Sequence, residues 1–140
     1  ERYGGFCEAL AEYGLTPREG DVYGLEIGIE QSTALGCRLA ARSDYTAIFA
    51  TADILAAGII SGLNEAGRRV PEDVSIIGFD DLNIARLTSP QLTTIHQDVT
   101  LRGSRAAEML IAQIEKAPDA ETVITMPVRL VRRQSVQDIH

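Results

Sequence analysis

The stretch VSIIGFDDLNIARLTSPQLTTIHQD, residues 74–98, decides the fold. From Val74 to Phe79 it is apolar or small at nearly every position rather than at every second one, the pattern of a strand buried on both faces of a parallel sheet. It ends abruptly in two adjacent carboxylates, Asp80 and Asp81. A second short run, LTTIH, follows after a proline-containing turn and reads as a further strand.

Working outward, YTAIFAT (residues 45–51) is another short apolar strand, and a helix follows at once from Asp53 to about Ala66, with Gly67 as its stop. Upstream, Phe6, Cys7, Leu10 and Ala11 fall at helical spacing before Gly14. VYGLEIGI reads as a β-type run, and STALGCRLAAR as a helix capped by Ser32 or Thr33. Downstream, LRGSRAAEMLIAQIEK predicts a helix with Ala106, Leu110 and Ile114 on one stripe, and ETVITMPVRLVRR an extended segment. The two strand–helix–strand units predict a doubly wound α/β fold around a parallel sheet.

In such sheets ligands lie in the crevice beyond the carboxyl ends of the strands. Two strand ends meet that description, the TAD of residues 51–53 and the Asp80–Asp81 pair, and both belong on the same sheet edge. Asp53 is also placed to cap the helix that it opens, which is its simplest role. Neighbours in extended chain point to opposite sides, so Asp80 and Asp81 do not form a facing pair of the glycosidase type. One faces the crevice and the other holds the turn.

Composition narrows the function. The 140 residues, 45% hydrophobic and 24% charged, suffice for a core, and no apolar run approaches the roughly 20 residues of a membrane helix. A net charge of −7 argues against direct contact with nucleic acid. Cys7 and Cys37 lack metal or redox spacing and read as reduced, packed thiols, which suits a cytoplasmic protein. There is no glycine-rich phosphate loop, no GxSxG elbow and no metal-spaced histidine pair, and the single lysine, Lys116, closes a helix. His96 reads as structural or solvent-facing, His140 is terminal, and the arginines of AGRR and VRRQ read as solvated surface. Binding without chemistry, with no cofactor and no metal, is the leading class.

The residues YTAIFATADILAAGIISGLNEAGRRVPEDVSIIGFDDLNIARLTSPQLTTIHQD, with ERYGGFCEAL before and RLVRRQSV after, resemble the lactose/galactose-repressor family of bacterial transcription regulators. The resemblance covers essentially the whole chain. It implies a type I periplasmic-binding-protein-like fold, of which residues 1–97 form most of the C-terminal lobe. Residues 98–126 are then a crossover and a segment of the other lobe, with a strand at 122–126, and residues 127–140 return. It also implies that a DNA-binding helix-turn-helix lies upstream, which fits an opening on Glu1 rather than Met.

The resemblance implies that Arg2, Asp80 and Gln97 contact an effector, Asp80 by accepting hydrogen bonds from its hydroxyls. It brings Asp53 to the same site, although the neighbouring family asparagine is Ala52 here, and sets Gln31 at a pocket position that is often aromatic. The plain alternatives are a surface arginine for Arg2 and a backbone-bonding crossover residue for Gln97. Ile54, Leu55, Gly58, Ile59, Gly62, Ile84 and Leu87 would form a homodimer interface, burial within the lobe being the alternative. The implied function is an effector-sensing and dimerisation module of a transcription regulator, with a sugar-like ligand and operator DNA reached only through the upstream domain. A sugar-binding protein of a transport system shares the lobes, and a sugar-processing hydrolase would need a nucleophile that the sequence does not offer.

Overall fold

The computed structural model describes residues 2–117 and 121–138; His140 lies outside them. The chain forms α1 (Arg2–Glu12), α2 (Ile29–Ala40), β1 (Ala47–Phe49), α3 (Asp53–Glu65), β2 (Ser75–Asp80), α4 (Ile84–Leu87), β3 (Thr93–His96), α5 (Val99–Ile114) and β4 (Arg129–Val131). One four-stranded sheet has the order β1-β2-β3-β4. The first three strands are parallel, with Phe49 beside Ile77 and Asp80 beside His96, and β4 runs antiparallel to β3. The mixed α/β architecture is thus present, as are the strands predicted within residues 45–51, 74–79 and 92–96.

Ile76, Val74 and Leu92 are fully enclosed and pack with Leu63, Ile59 and Leu35 of the α2–α3 pair into one core. The two helices approach closely because small residues meet between them. A Cβ on Gly58 would fall 1.9 Å from the Ser32 hydroxyl, and one on Gly62 would fall 2.1 Å from the Thr33 carbonyl oxygen. On the opposite face α1 lies more loosely, with Phe6 stacked on Phe49 at 5.0 Å. A cavity of 670 Å³ runs between α1, the loop after it and β1.

Several expected elements differ. Residues 22–29 form no strand, and α2 begins at Ile29. Val22, Tyr23 and Ile27 are exposed, and an apolar run without a neighbouring ladder does not stay extended. Ser32 caps nothing: it sits inside α2, fully buried, donating its hydroxyl to the carbonyls of Gly28 and Ile29. Residues 122–126 are irregular rather than a strand, and Leu110 and Ile114 of the predicted stripe on α5 are exposed. Cys37 is exposed rather than packed. No helix among the described residues is long and apolar enough to cross a membrane.

Candidate functional site

The carboxyl ends of β1, β2 and β3 converge on one side-chain ring. Arg2, on the first turn of α1, donates from Nη2 to Asp80 Oδ1 at 2.8 Å and from Nη1 to the carbonyl oxygen of Thr51, just beyond β1. Its guanidinium lies over the Phe79 ring, 4.1 Å from the centroid, so a cation–π contact and an ion pair fix the same group. Gln97, one residue past β3, donates its amide to Asp80 Oδ1. Its carbonyl oxygen accepts from Arg102 Nη1 at 2.7 Å. The amide orientation follows from chemistry: the carboxylate requires a donor and the guanidinium an acceptor.

Asp80 Oδ1 thus takes two donors, whereas Oδ2 has, among the described residues, only the Arg2 nitrogen at 3.5 Å. The Arg2 and Asp80 side chains are 34% and 17% exposed, open enough to meet a ligand.

The turn that presents Asp80 is held from below and behind. Asp80 and Asp81 adopt φ of 112° and 55°, backbone that L residues rarely take. Asp53 is fully buried and accepts from Leu82 N at 2.7 Å and from the Thr94 hydroxyl at 2.5 Å. Its approach to β2 depends on Gly78, where a Cβ would stand 2.4 Å from Asp53 Oδ1. Burial pushes the Asp53 carboxyl up, against the lowering effect of these two hydrogen bonds.

Asp81 turns away from the ring and pairs with Arg133 at 2.5 Å and His96 Nδ1 at 2.9 Å. Burial raises its pKa, but the hydrogen bonds from Arg133 and His96 outweigh burial and hold the carboxyl below its ordinary value. The two aspartates thus face different partners, and strand alternation is not the cause: both lie in positive-φ backbone.

Of the predicted effector residues, Arg2, Asp80 and Gln97 come together. Asp53 lies beneath them: it makes no cap, since α3 has Ala52 as N-cap without a side-chain bond, and its oxygens accept from Leu82 N of the turn and from the Thr94 hydroxyl of β3. Gln31 is elsewhere, exposed on the first turn of α2 and bonded to Glu26. Among the predicted dimer residues, Gly58, Ile59 and Gly62 are spent inside the fold against α2, so the within-lobe alternative applies to them. Ile54, Leu55 and Ile84 are half-buried, and Leu87 is 81% exposed.

Sequence reading missed Arg102 and Arg133. Arg133 is not solvated surface: its side chain is 9% exposed and also donates to the Leu92 carbonyl. Its signal is weak, since composition does not distinguish it from Arg132, which is 68% exposed. Arg102 could have been noticed as a cation on the first turn of a helix, where the macrodipole disfavours it. No group of three potential metal-ligating side chains occurs among the described residues.

Residues 1–136 match the family described as periplasmic binding protein-like domain. The HTH-type transcriptional repressor PurR of Pasteurella multocida is 40% identical over 139 residues, covering 97% of this chain and 41% of that protein. A putative transcriptional regulator LacI from Bacillus cereus subsp. cytotoxis superposes with a TM-score of 0.90 at 28% identity, covering 99% of this chain and 50% of that one. A LacI family transcriptional regulator from Enterococcus faecium, solved with bound ribose, gives 0.82 at 33% identity over 99% of this chain and 52% of its own. The chain thus spans about half the length, or less, of the proteins that it resembles. On its sheet order, its strand-end site and these matches, the chain belongs to the periplasmic binding protein-like domain family, in the form that the lactose/galactose-repressor regulators carry.

Proposed function

We propose that the chain is the effector-sensing and dimerisation part of a DNA-binding transcription regulator, with a small sugar-like ligand held at Asp80. The observation that carries this reading is the ring of Arg2, Asp80 and Gln97 at the carboxyl ends of three strands, where open parallel sheets bind ligands. Asp80 Oδ2 is the acceptor for ligand hydroxyls, and Arg2 is the donor beside it. The ribose-bound relative supports a sugar-like ligand.

In this reading residues 1–97 and 127–140 belong to one lobe and residues 98–126 to a second. The lack of any buried residue on α5 supports this, with Ile111 at 55% and Ile114 at 71% exposure. A net charge of −7 leaves operator contact to an upstream helix-turn-helix and suits a cytoplasmic regulator. Exposed Leu87, with half-buried Ile54, Leu55 and Ile84, supplies the homodimer face. Ligand between the lobes shifts operator affinity only as far as it binds the two lobe arrangements unequally.

The test is titration of the full-length protein and its Asp80→Asn variant with the ligand that raises its melting temperature. Losing a charged acceptor weakens a hydrogen bond by about 1.5–3 kcal/mol, a roughly 10- to 150-fold rise in Kd. Unchanged affinity sinks the assignment of Asp80. The family description also suits a sugar-binding protein of a transport system. A secretory signal upstream of Glu1 in place of a helix-turn-helix would favour that alternative.

A further inference from the structure

Arg102 is the one cation of the site whose charge the described residues leave unanswered. Arg2 is neutralised by Asp80 at 2.8 Å. Arg133 is neutralised by Asp81, and Asp53 is buried under the turn. Arg102, by contrast, forms no ion pair among the described residues, and its only side-chain partner there is the neutral amide oxygen of Gln97, at 2.7 Å. The nearest carboxylate in sequence, Asp98, accepts from Leu101 N as the cap of α5. The positive end of the helix dipole also works against a cation on that turn. The Gln97 bond nevertheless directs the guanidinium into the ring, two side chains from Asp80.

The ring of Arg2, Asp80, Gln97 and Arg102 therefore carries a net charge of +1, from two arginines and one aspartate. A cleft that closes over it removes water from a guanidinium, which is unfavourable unless a negative charge arrives with the closure. We propose that Arg102 is the anion-recognising residue of this site, and that the effector carries an acid group, a carboxylate or a phosphate, beside the hydroxyls taken by Asp80. The proposal rests on the effector-sensing reading above. Gln97 has the joining role, its amide donating to the hydroxyl-binding aspartate and its carbonyl oxygen holding the acid-binding arginine. A guanidinium suits either acid group, because both offer paired oxygens to its fork of donors.

The experiment uses full-length protein and calorimetric titration with matched probes: glucose, glucuronate and glucose 6-phosphate, then ribose and ribose 5-phosphate. The expected result is that an acid member binds at least about tenfold more tightly than its neutral counterpart, a preference that shrinks as salt is raised. Whether glucuronate or a phosphate leads tells the two acid groups apart. Arg102→Gln should abolish the preference, bringing the acid member to within about twofold of its neutral counterpart, and should leave the unliganded melting curve unchanged because the side chain is exposed. Arg102→Lys should retain part of it, which a purely structural role would not produce. A neutral sugar binding as tightly as its acid counterpart overturns the proposal and points to a carboxylate elsewhere in the full-length protein as the partner of Arg102. Arg102→Gln with the preference intact overturns it equally. If no probe binds at all, the sugar-effector reading itself fails, a result distinct from loss of the acid preference.

Discussion

Replacing Arg133 with methionine tests whether the turn behind Asp80 is held by charge. The Arg133 and Asp81 side chains are 9% and 6% exposed and meet at 2.5 Å, so the variant leaves a carboxylate in the interior with His96 as its remaining side-chain partner. Breaking a buried pair from one side costs about 3–5 kcal/mol. Part of that sum is the lost bond to the Leu92 carbonyl, which no change at residue 81 restores. Urea unfolding of the full-length protein should show a midpoint lowered by more than about 1 M, at slopes of about 1–3 kcal/mol/M. Adding Asp81→Asn removes the stranded charge, and asparagine tolerates the φ of 55°. The double variant should recover at least about 1 kcal/mol relative to Arg133→Met alone. Acid gives a second handle. In the wild type the depressed Asp81 carboxyl contributes stability that is complete above 3.8 and is lost as pH falls below it. Protonation in Arg133→Met relieves the unpaired charge, so the gap between the two proteins narrows towards low pH. An Arg133→Met protein within about 1 kcal/mol of wild type at neutral pH would refute the reasoning, as would a double variant no better than the single one.

The same logic extends to other sites. Gly62→Ala puts a methyl 2.1 Å from the Thr33 carbonyl oxygen and 2.7 Å from Cys37 N. Its cost of about 3 kcal/mol from overpacking exceeds the gain of about 1 kcal/mol in helix propensity, leaving a net loss of about 2 kcal/mol in the same urea assay. The Asp73 carboxyl is drawn down to about 2, first by the side-chain hydrogen bond from Arg69 and then by the Arg69 backbone N–H. Its stabilisation is therefore complete above 3.8 and lost as pH falls through about 2, and Asp73→Asn should flatten that limb of an acid titration. Leu87→Asp should convert a dimer to monomer in sedimentation of the full-length protein; a wild type that is already monomeric at micromolar concentration removes the dimer assignment.

What the sequence made legible was the part built from continuous local signals. The apolar runs of β1, β2 and β3 and the helix that starts at Asp53 are each specified within a dozen residues, and the sheet edge placed Asp80 before any side chain was known. What failed depended on partners far along the chain. Asp53 has the composition of a cap, yet bonds reaching 29 and 41 residues away claim its oxygens. Ser32 lies three residues inside a helix whose N-cap, Gly28, makes no side-chain bond. The glycines of α3 read equally as an outer or an inner small-residue face, and only the approach of α2 decides between them. Which arginine of RLVRR is buried depends on how the chain returns along β3, where Ser135 bonds Thr93 N and the Ile76 carbonyl.

The strained turn has a consequence for how the site works. Holding Asp80 at φ 112° costs on the order of 1–3 kcal/mol, and such backbone persists only where its surroundings over-determine it. Here Asp53 anchors Leu82 beneath the turn, Arg133 and His96 fix Asp81 behind it, and Arg2 and Gln97 hold Asp80 in front. In the proposed role of Asp80, the acceptor is therefore in place before any ligand arrives. A hydroxyl that approaches Oδ2 displaces no close donor, because the short bonds from Arg2 and Gln97 both go to Oδ1. The strain is met by folding contacts rather than by the ligand, so less of the ligand's interaction energy goes into ordering the site. A variant that relaxes the turn while keeping the Asp80 carboxylate, such as Asp53→Asn, should therefore weaken binding although both carboxylate oxygens of Asp53 are engaged within the fold. The corresponding loss at Asp80 itself should be the larger of the two.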